Sequence, residues 1–238
     1  MTSTTVPVIF DLDGTLVDPA GGITDGIAAA LTEFGIPVPS QDLLDAMVGP
    51  KLSDSLLTIA GVPPAMLKNV IRSYRMRYLD TGISQSRLYP GIAELLESYA
   101  AAGRPVAVAT QKPENLAHVV LEHHKIARRF AAIHGSAVDE TAAAAGPIGK
   151  TGIIAAAMAE LRTQHAIMVG DRAQDVAGAL ANGIDCIGVS WGFAPDGELE
   201  AAGAVAVVHD APSLRNAIEE LESVRAAALS EVRNDGAL

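Results

Sequence analysis

Four short apolar runs, rich in β-branched residues, lie between longer segments with helical spacing. The runs are Val6-Pro7-Val8-Ile9-Phe10, Pro105-Val106-Ala107-Val108-Ala109, Ala166-Ile167-Met168-Val169 and Cys186-Ile187-Gly188-Val189. A weaker fifth, Ala204 to Val208, reads as an edge strand. The runs are apolar throughout rather than alternating, as suits strands covered on both faces by helices in a parallel α/β sheet. Helices are predicted over about 91–102, 114–124, 150–161 and 173–182, with start signals such as Pro113 before Glu114. The interval between the first two runs is far longer than one crossover helix needs. It reads as helical throughout: Ile23 to Phe34, Gln41 to Val48, Ser53 to Ala60 and Pro64 to Asp80. Turn signals at Gly35-Ile36-Pro37, Gly49-Pro50 and Gly61-Val62-Pro63-Pro64 separate these pieces. The pattern predicts a Rossmann-like α/β core from residues 1–16 and 88–225, an inserted all-helical module at 17–87, and a tail at 226–238 that is a frayed helix or disordered.

Composition narrows the function classes. Hydrophobic residues make up 49% of the 238-residue chain and charged ones 19%, which is enough for a sizeable core and argues against wholesale disorder. A net charge of −11 gives no broad phosphate-binding face, and 4% aromatics give no base-stacking platform, so no nucleic-acid partner is expected. The single Cys186 excludes an internal disulfide and a thiolate-built zinc site. The opening MTSTTVPVIF lacks a basic region followed by a long apolar stretch, and no membrane span is expected. The expectation is a soluble cytoplasmic protein, a monomer or weak dimer.

Ligands of open parallel sheets sit outside the carboxyl ends of the strands. After the first run come Asp11-Leu12-Asp13-Gly14-Thr15, after the second Thr110-Gln111-Lys112, and after the third Gly170-Asp171-Arg172-Ala173-Gln174-Asp175; Lys150 opens a predicted helix. Carboxylates for a hard Mg²⁺ ion and hydroxyl and ammonium groups for phosphate oxygens thus converge on one sheet edge.

Asp-Leu-Asp-Gly-Thr, Thr110, Lys150 and Gly-Asp-Arg-x-x-Asp, in that order, resemble the four motifs of the haloacid dehalogenase superfamily of phosphohydrolases. The likeness spans about residues 5–222 and is strongest to the phosphoglycolate phosphatase-like branch, whose small helical cap the insert resembles. It implies a Mg²⁺-dependent phosphatase acting on a small-molecule phosphate ester. Asp11 would be the nucleophile and form an aspartyl-phosphate. Asp13 would protonate the leaving oxygen and then take a proton from water. Thr110 and Gln111 would lie at the substrate phosphate. Lys150 would neutralise charge around Asp11 and the phosphoryl group. Asp11, the Asp13 carbonyl, Asp171 and Asp175 would hold the metal. In the cap, Lys51 of the Gly49–Leu52 turn is a candidate for a substrate anion, with a solvated lysine as its alternative.

Departures from the family pattern are Gln111, where a serine or asparagine is usual, Pro19 beside the first hinge, and a longer loop at 141–149. Lys112 and Lys125 are the other lysines between the second and fourth motifs, but Lys150 alone opens a helix. Gly146–Thr151 resembles a phosphate-binding P-loop but has Ala144 where its first glycine belongs. Trp191-Gly192-Phe193 reads as loop packing. A phosphotransferase and a phospho-accepting regulatory protein are the alternatives to a hydrolase.

Overall fold

A computed structural model describes residues 5–137 and 149–235. In chain order the elements are β1 (Val8–Phe10), β2 (Val17–Asp18), α1 (Thr24–Glu33), α2 (Gln41–Asp45), α3 (Leu52–Thr58), α4 (Leu67–Arg77), a π-helical turn (Tyr78–Gly82), α5 (Ile83–Gln85) and β3 (Arg87–Leu88). There follow α6 (Ile92–Ala101), β4 (Val106–Pro113), α7 (Glu114–His123), β5 (Ala132–Ser136), α8 (Gly149–Glu160), β6 (Ile167–Gly170), α9 (Ala173–Ala181), β7 (Asp185–Val189), α10 (Glu198–Ala202), β8 (Ala206–Val208) and α11 (Ala211–Asp235).

Six strands form one parallel sheet in the order β5-β4-β1-β6-β7-β8. This is the Rossmann-like core that the apolar runs predict. Side chains alternate between its two faces. Val8, Phe10, Val106, Val108, Ile167 and Val169 join a cluster with Leu95 and Leu96 of α6, Val120 of α7 and Leu214 of α11. Ile9, Ala107, Met168 and Cys186 face the other way, onto Ile153 and Ile154 of α8 and Val176 of α9. Fully burying side chains of this size contributes ~1.5–3 kcal/mol each. The small alanines in β4 and α8 allow the close helix–sheet approach on that second face.

The register positions the site. Phe10 at the end of β1 is flanked by Val108 and Val169. The residues that follow on these three central strands therefore emerge together at the carboxyl edge.

Helices α1 to α5 leave and rejoin the core through β2 and β3, which pair antiparallel, Val17 with Leu88 and Asp18 with Arg87. Their interior includes Ile27, Leu31, Leu56, Val70, Tyr74 and Tyr78 and is continuous with the first core cluster. The expected helix over 41–48 stops at Asp45, and the one over 64–80 begins at Leu67 and gives way to the π turn. α11 continues to Asp235, through part of the expected tail. β5 was not expected. Its sequence, AIHGS, lacks an apolar run because it is a partly exposed edge strand. The stretch Ala204–Val208 is the edge strand on the opposite side.

Candidate active site

Asp11 leaves β1 and the chain turns at once. Leu16 and Val17 donate to the Leu12 carbonyl at 3.0 Å, and Gly14 donates to Val17 O at 2.9 Å. Gly14 has φ +87°, and a Cβ there would run into the Asp171 carboxylate. Glycine alone permits both the turn and the close packing of the β1 and β6 loops. Asp11 and Asp13 are 2% and 7% exposed, so both acids are held in a low-dielectric mouth.

Lys150, in the first turn of α8, projects across the sheet edge. Its ammonium group lies 2.8 Å from Asp11 Oδ1 and 2.6 Å from Asp175 Oδ1, and it donates to Ala109 O at 2.8 Å. Lys112 makes a separate pair with Asp13 Oδ2 at 2.9 Å. Asp171 is wholly buried. Its Oδ1 accepts from the Thr15 hydroxyl at 3.1 Å and its Oδ2 from the Phe193 N–H at 2.9 Å. Asp175 Oδ2 accepts from the Arg172 N–H at 3.1 Å, at the start of α9.

Carboxylate oxygens of Asp11, Asp171 and Asp175 all lie within 4.8 Å of one another. Like charges at that spacing repel by about 3–4 kcal/mol per pair at an effective dielectric of about 20. Burial pushes the Asp171 carboxyl well above the ordinary range, and Asp175 and Asp11 add to the rise. Burial likewise raises Asp175, to about 6, against the pull of Lys150. Asp13 is also raised by burial, with Lys112 opposing. Burial disfavours the charge of Lys150, but Asp11 and Asp175 outweigh it and hold the ammonium protonated. Four buried carboxylates thus face two ammonium groups, an imbalance of two negative charges when all are ionised. An all-oxygen donor set with that surplus fits a hard divalent cation. Thr15 and Phe193 fix the orientation of one donor carboxylate from behind.

The other expected residues are placed as follows. Thr110 is 2% exposed at the carboxyl edge of β4, and its Oγ1 accepts from Lys112 N–H at 3.2 Å. The Gln111 amide donates to Gly49 O at 3.2 Å, joining the sheet edge to the turn before α3. Lys51 is half-buried in that turn. A cavity of about 40 Å³ beneath the turn is lined by Asp13, Gly49, Pro50, Leu52, Arg75, Gln111 and Lys112 among others, but not by Lys51. The expected long loop lies outside the described residues apart from Gly149.

Three contributions escaped the sequence reading. Trp191-Gly192-Phe193 is more than packing, because its backbone holds Asp171 and Trp191 Nε1 donates to Thr15 O at 3.1 Å. Arg172 donates to Val48 O at 2.6 Å and to Glu198 Oε1 at 3.0 Å, tying the helical insert to the β6 loop. Lys112 pairs with Asp13. Arg172 and Trp191–Phe193 follow the carboxyl ends of β6 and β7, and Lys112 lies in the last residues of β4, just past its apolar run; that placement was the available signal.

A buried carboxylate after the first strand, a lysine across from it and a cluster of acids able to hold a cation are the groups that chemistry on a phosphate ester needs, and they stand on a Rossmann-like fold. The chain belongs to the haloacid dehalogenase-like hydrolase family, which matches residues 8–189. It is 35% identical to a 5'-nucleotidase of Pseudomonas aeruginosa, over 89% of this chain and 95% of that one. It is 37% identical to the tyrosine-protein kinase PtkA of Mycobacterium tuberculosis, over 86% of this chain and 68% of that one. A phosphoglycolate phosphatase of Caulobacter vibrioides is 31% identical, over 85% and 86%. The crystal structure of a predicted phosphatase from Clostridium acetobutylicum superposes with a TM-score of 0.83 at 37% identity, covering 91% of this chain and 99% of that one. The enzyme is therefore a hydrolase with phosphatase relatives. Among the described residues no helix is long and apolar enough to cross a membrane.

Proposed function

We propose that the protein is a Mg²⁺-dependent phosphatase of small phosphomonoesters, working through an aspartyl-phosphate on Asp11. The observation that carries this reading is Asp11 held between the Lys150 ammonium and two further buried acids. Residues 17–87 act as a cap over a core of 1–16 and 88–225, in a cytoplasmic setting that suits a free, buried Cys186.

Asp11 attacks phosphorus, and the ester oxygen leaves toward Asp13, which protonates it. Asp13 then takes a proton from the water that hydrolyses the aspartyl-phosphate. Lys150 offsets the charge on Asp11 and the phosphoryl oxygens, and Thr110 offers its hydroxyl to one of those oxygens. Asp11, the Asp13 carbonyl, Asp171 and Asp175 would hold Mg²⁺, which supplies charge neutralisation to the attacked phosphoryl group. A cavity of about 40 Å³ beside Asp13 gives the leaving group a place next to the acid that protonates it.

A phosphate-release screen over small esters tests the reading. Release is expected with Mg²⁺ and none in excess chelator; full turnover in chelator would remove the cation from the mechanism. The PtkA likeness favours one second reading, transfer of the phosphoryl group to a hydroxyl instead of water. Phosphate recovered on an acceptor rather than in solution would establish it.

The acids also set a pH dependence. Asp171 and Asp175 have folded pKa values above 3.8. The folded, metal-free chain therefore holds protons that the unfolded chain has lost, and its stability falls as pH rises from about 4 through about 6. In chelator, Tm is expected to be lower at about pH 7 than at about pH 5. Mg²⁺ should raise Tm more at the higher value, because cation and proton compete for the same oxygens. An equal Mg²⁺ effect at both pH values would place the cation elsewhere.

A further inference from the structure

We propose that Lys112 is the positioning residue of Asp13, and that Tyr78 of the helical insert holds Lys112 in place. Protonation of the leaving group then depends on the seating of the insert. The proposal rests on the phosphatase reading above.

Lys112 Nζ lies 2.9 Å from Asp13 Oδ2, and the two side chains are 5% and 9% exposed. Asp13 Oδ1 is buried with no hydrogen-bond partner among the described residues. The cavity beside Asp13 is lined on the insert's side by Met47, Val48, Gly49 and Pro50. One oxygen of the acid is thus tied back and the other left unpartnered. That division is what a carboxyl needs to present a single oxygen to a leaving group and, later, to water. A salt bridge kept for stability alone has a weaker claim, since the desolvation of a buried ion pair consumes most of its Coulombic gain.

The local backbone aims Lys112. The β4–β5 register shifts between Ala109 and Pro113, and such irregularities redirect side chains near active sites. On its other side, Nζ sits 4.3 Å from the centroid of the Tyr78 ring. A cation over an aromatic face gains most where water is excluded, and Tyr78 is 1% exposed. Tyr78 opens the π turn at the end of α4, a geometry frequent at functional sites. Gly82 in that turn makes room for the ring, since a Cβ there would lie 2.7 Å from Tyr78 Cδ2. Tyr74, one turn earlier, backs the ring at 5.7 Å between centroids. Lys112 therefore joins a core acid to an aromatic face of the insert, and displacement of α4 would release the acid.

Leaving-group dependence separates this role from a structural one. Phenyl phosphate and p-nitrophenyl phosphate differ in one substituent, but nitrophenolate departs without a proton and phenolate benefits from one. General acid catalysis contributes typically ~10²–10⁴-fold. In Lys112→Met, kcat/KM, which reads the steps through departure of the leaving group, is expected to fall at least ~10-fold more for phenyl phosphate than for p-nitrophenyl phosphate. Tyr78→Leu should move the ratio in the same direction, and Tyr78→Phe, which restores the ring face, should bring it back. These two variants decide the matter should Lys112→Met not fold, as judged by thermal melting. Equal losses on both esters would overturn the positioning role while leaving the phosphatase reading intact. Wild-type enzyme that releases phosphate from neither ester would overturn both.

Discussion

Replacing Asp11 by asparagine is expected to remove turnover, with kcat down at least ~10⁴-fold, and to leave the fold intact. The amide oxygen is a poor nucleophile and cannot carry the phosphoryl group as an acyl phosphate. Little else changes. The side chain keeps its size in a site 2% exposed, and Lys150 keeps Asp175 at 2.6 Å and Ala109 O at 2.8 Å. The electrostatics add a second, opposite expectation. Three carboxylates lie within 4.8 Å, and neutralising one removes two repulsions of about 3–4 kcal/mol each at an effective dielectric of about 20, against one lost attraction to Lys150. In chelator near neutral pH, Tm of Asp11→Asn should therefore equal or exceed that of the wild type. Single-turnover assays and melting curves would read both results. Residual activity above about one part in a hundred would move the nucleophile to another residue.

How much of this site was legible in the sequence follows from how each residue is placed. Asp11, Thr110 and Asp171 come directly after apolar runs, and parallel register carries such residues to one edge; their convergence needs no tertiary detail. Lys150 stood out because it opens a helix, and the structure brings it to Asp11. Other relations depend on local irregularity. Lys112, which pairs with Asp13, lies where the β4–β5 register shifts, and no hydrophobic period reports that shift. Phe193 acts through its backbone N–H and Arg172 through a carbonyl of the insert, so neither function is written in residue type. Gln111 is expected at the phosphate through the N–H that follows Thr110, and the bond of its longer side chain to Gly49 O, a contact with the insert, is not written in residue type. In the fold, β2 and β3 are two residues each and β5 is a partly exposed edge strand; none has enough apolar positions to show a period.

Lys150→Ala should be severely damaging although the residue forms no bond to the substrate's phosphorus. The ammonium group has three donors and three partners, Asp11, Asp175 and Ala109 O, and its side chain is 4% exposed. Arginine would not substitute, because a planar fork cannot serve three converging oxygens that a compact ammonium reaches. Removal leaves two buried carboxylates without their cation and deprives the phosphoryl oxygens of a fixed positive charge. Loss of one preorganised electrostatic contact costs ~10²–10³-fold in kcat, and phosphate affinity should fall as well. The expected stability loss is below the ~3–5 kcal/mol typical of a broken buried pair, because Asp175, already raised to about 6, can take up a proton. That relief disappears as pH rises, so the Tm deficit in chelator should widen from about pH 5 to about pH 8, and Mg²⁺ should narrow it. The kinetic signature differs from that of Lys112. Lys150 acts on the nucleophile and the phosphoryl group, so phenyl and p-nitrophenyl phosphate should lose rate by similar factors. Were Lys112→Ala the more harmful change on both esters, the phosphate-neutralising lysine would be Lys112, and the contact between Lys150 and Asp11 would serve the fold rather than the reaction.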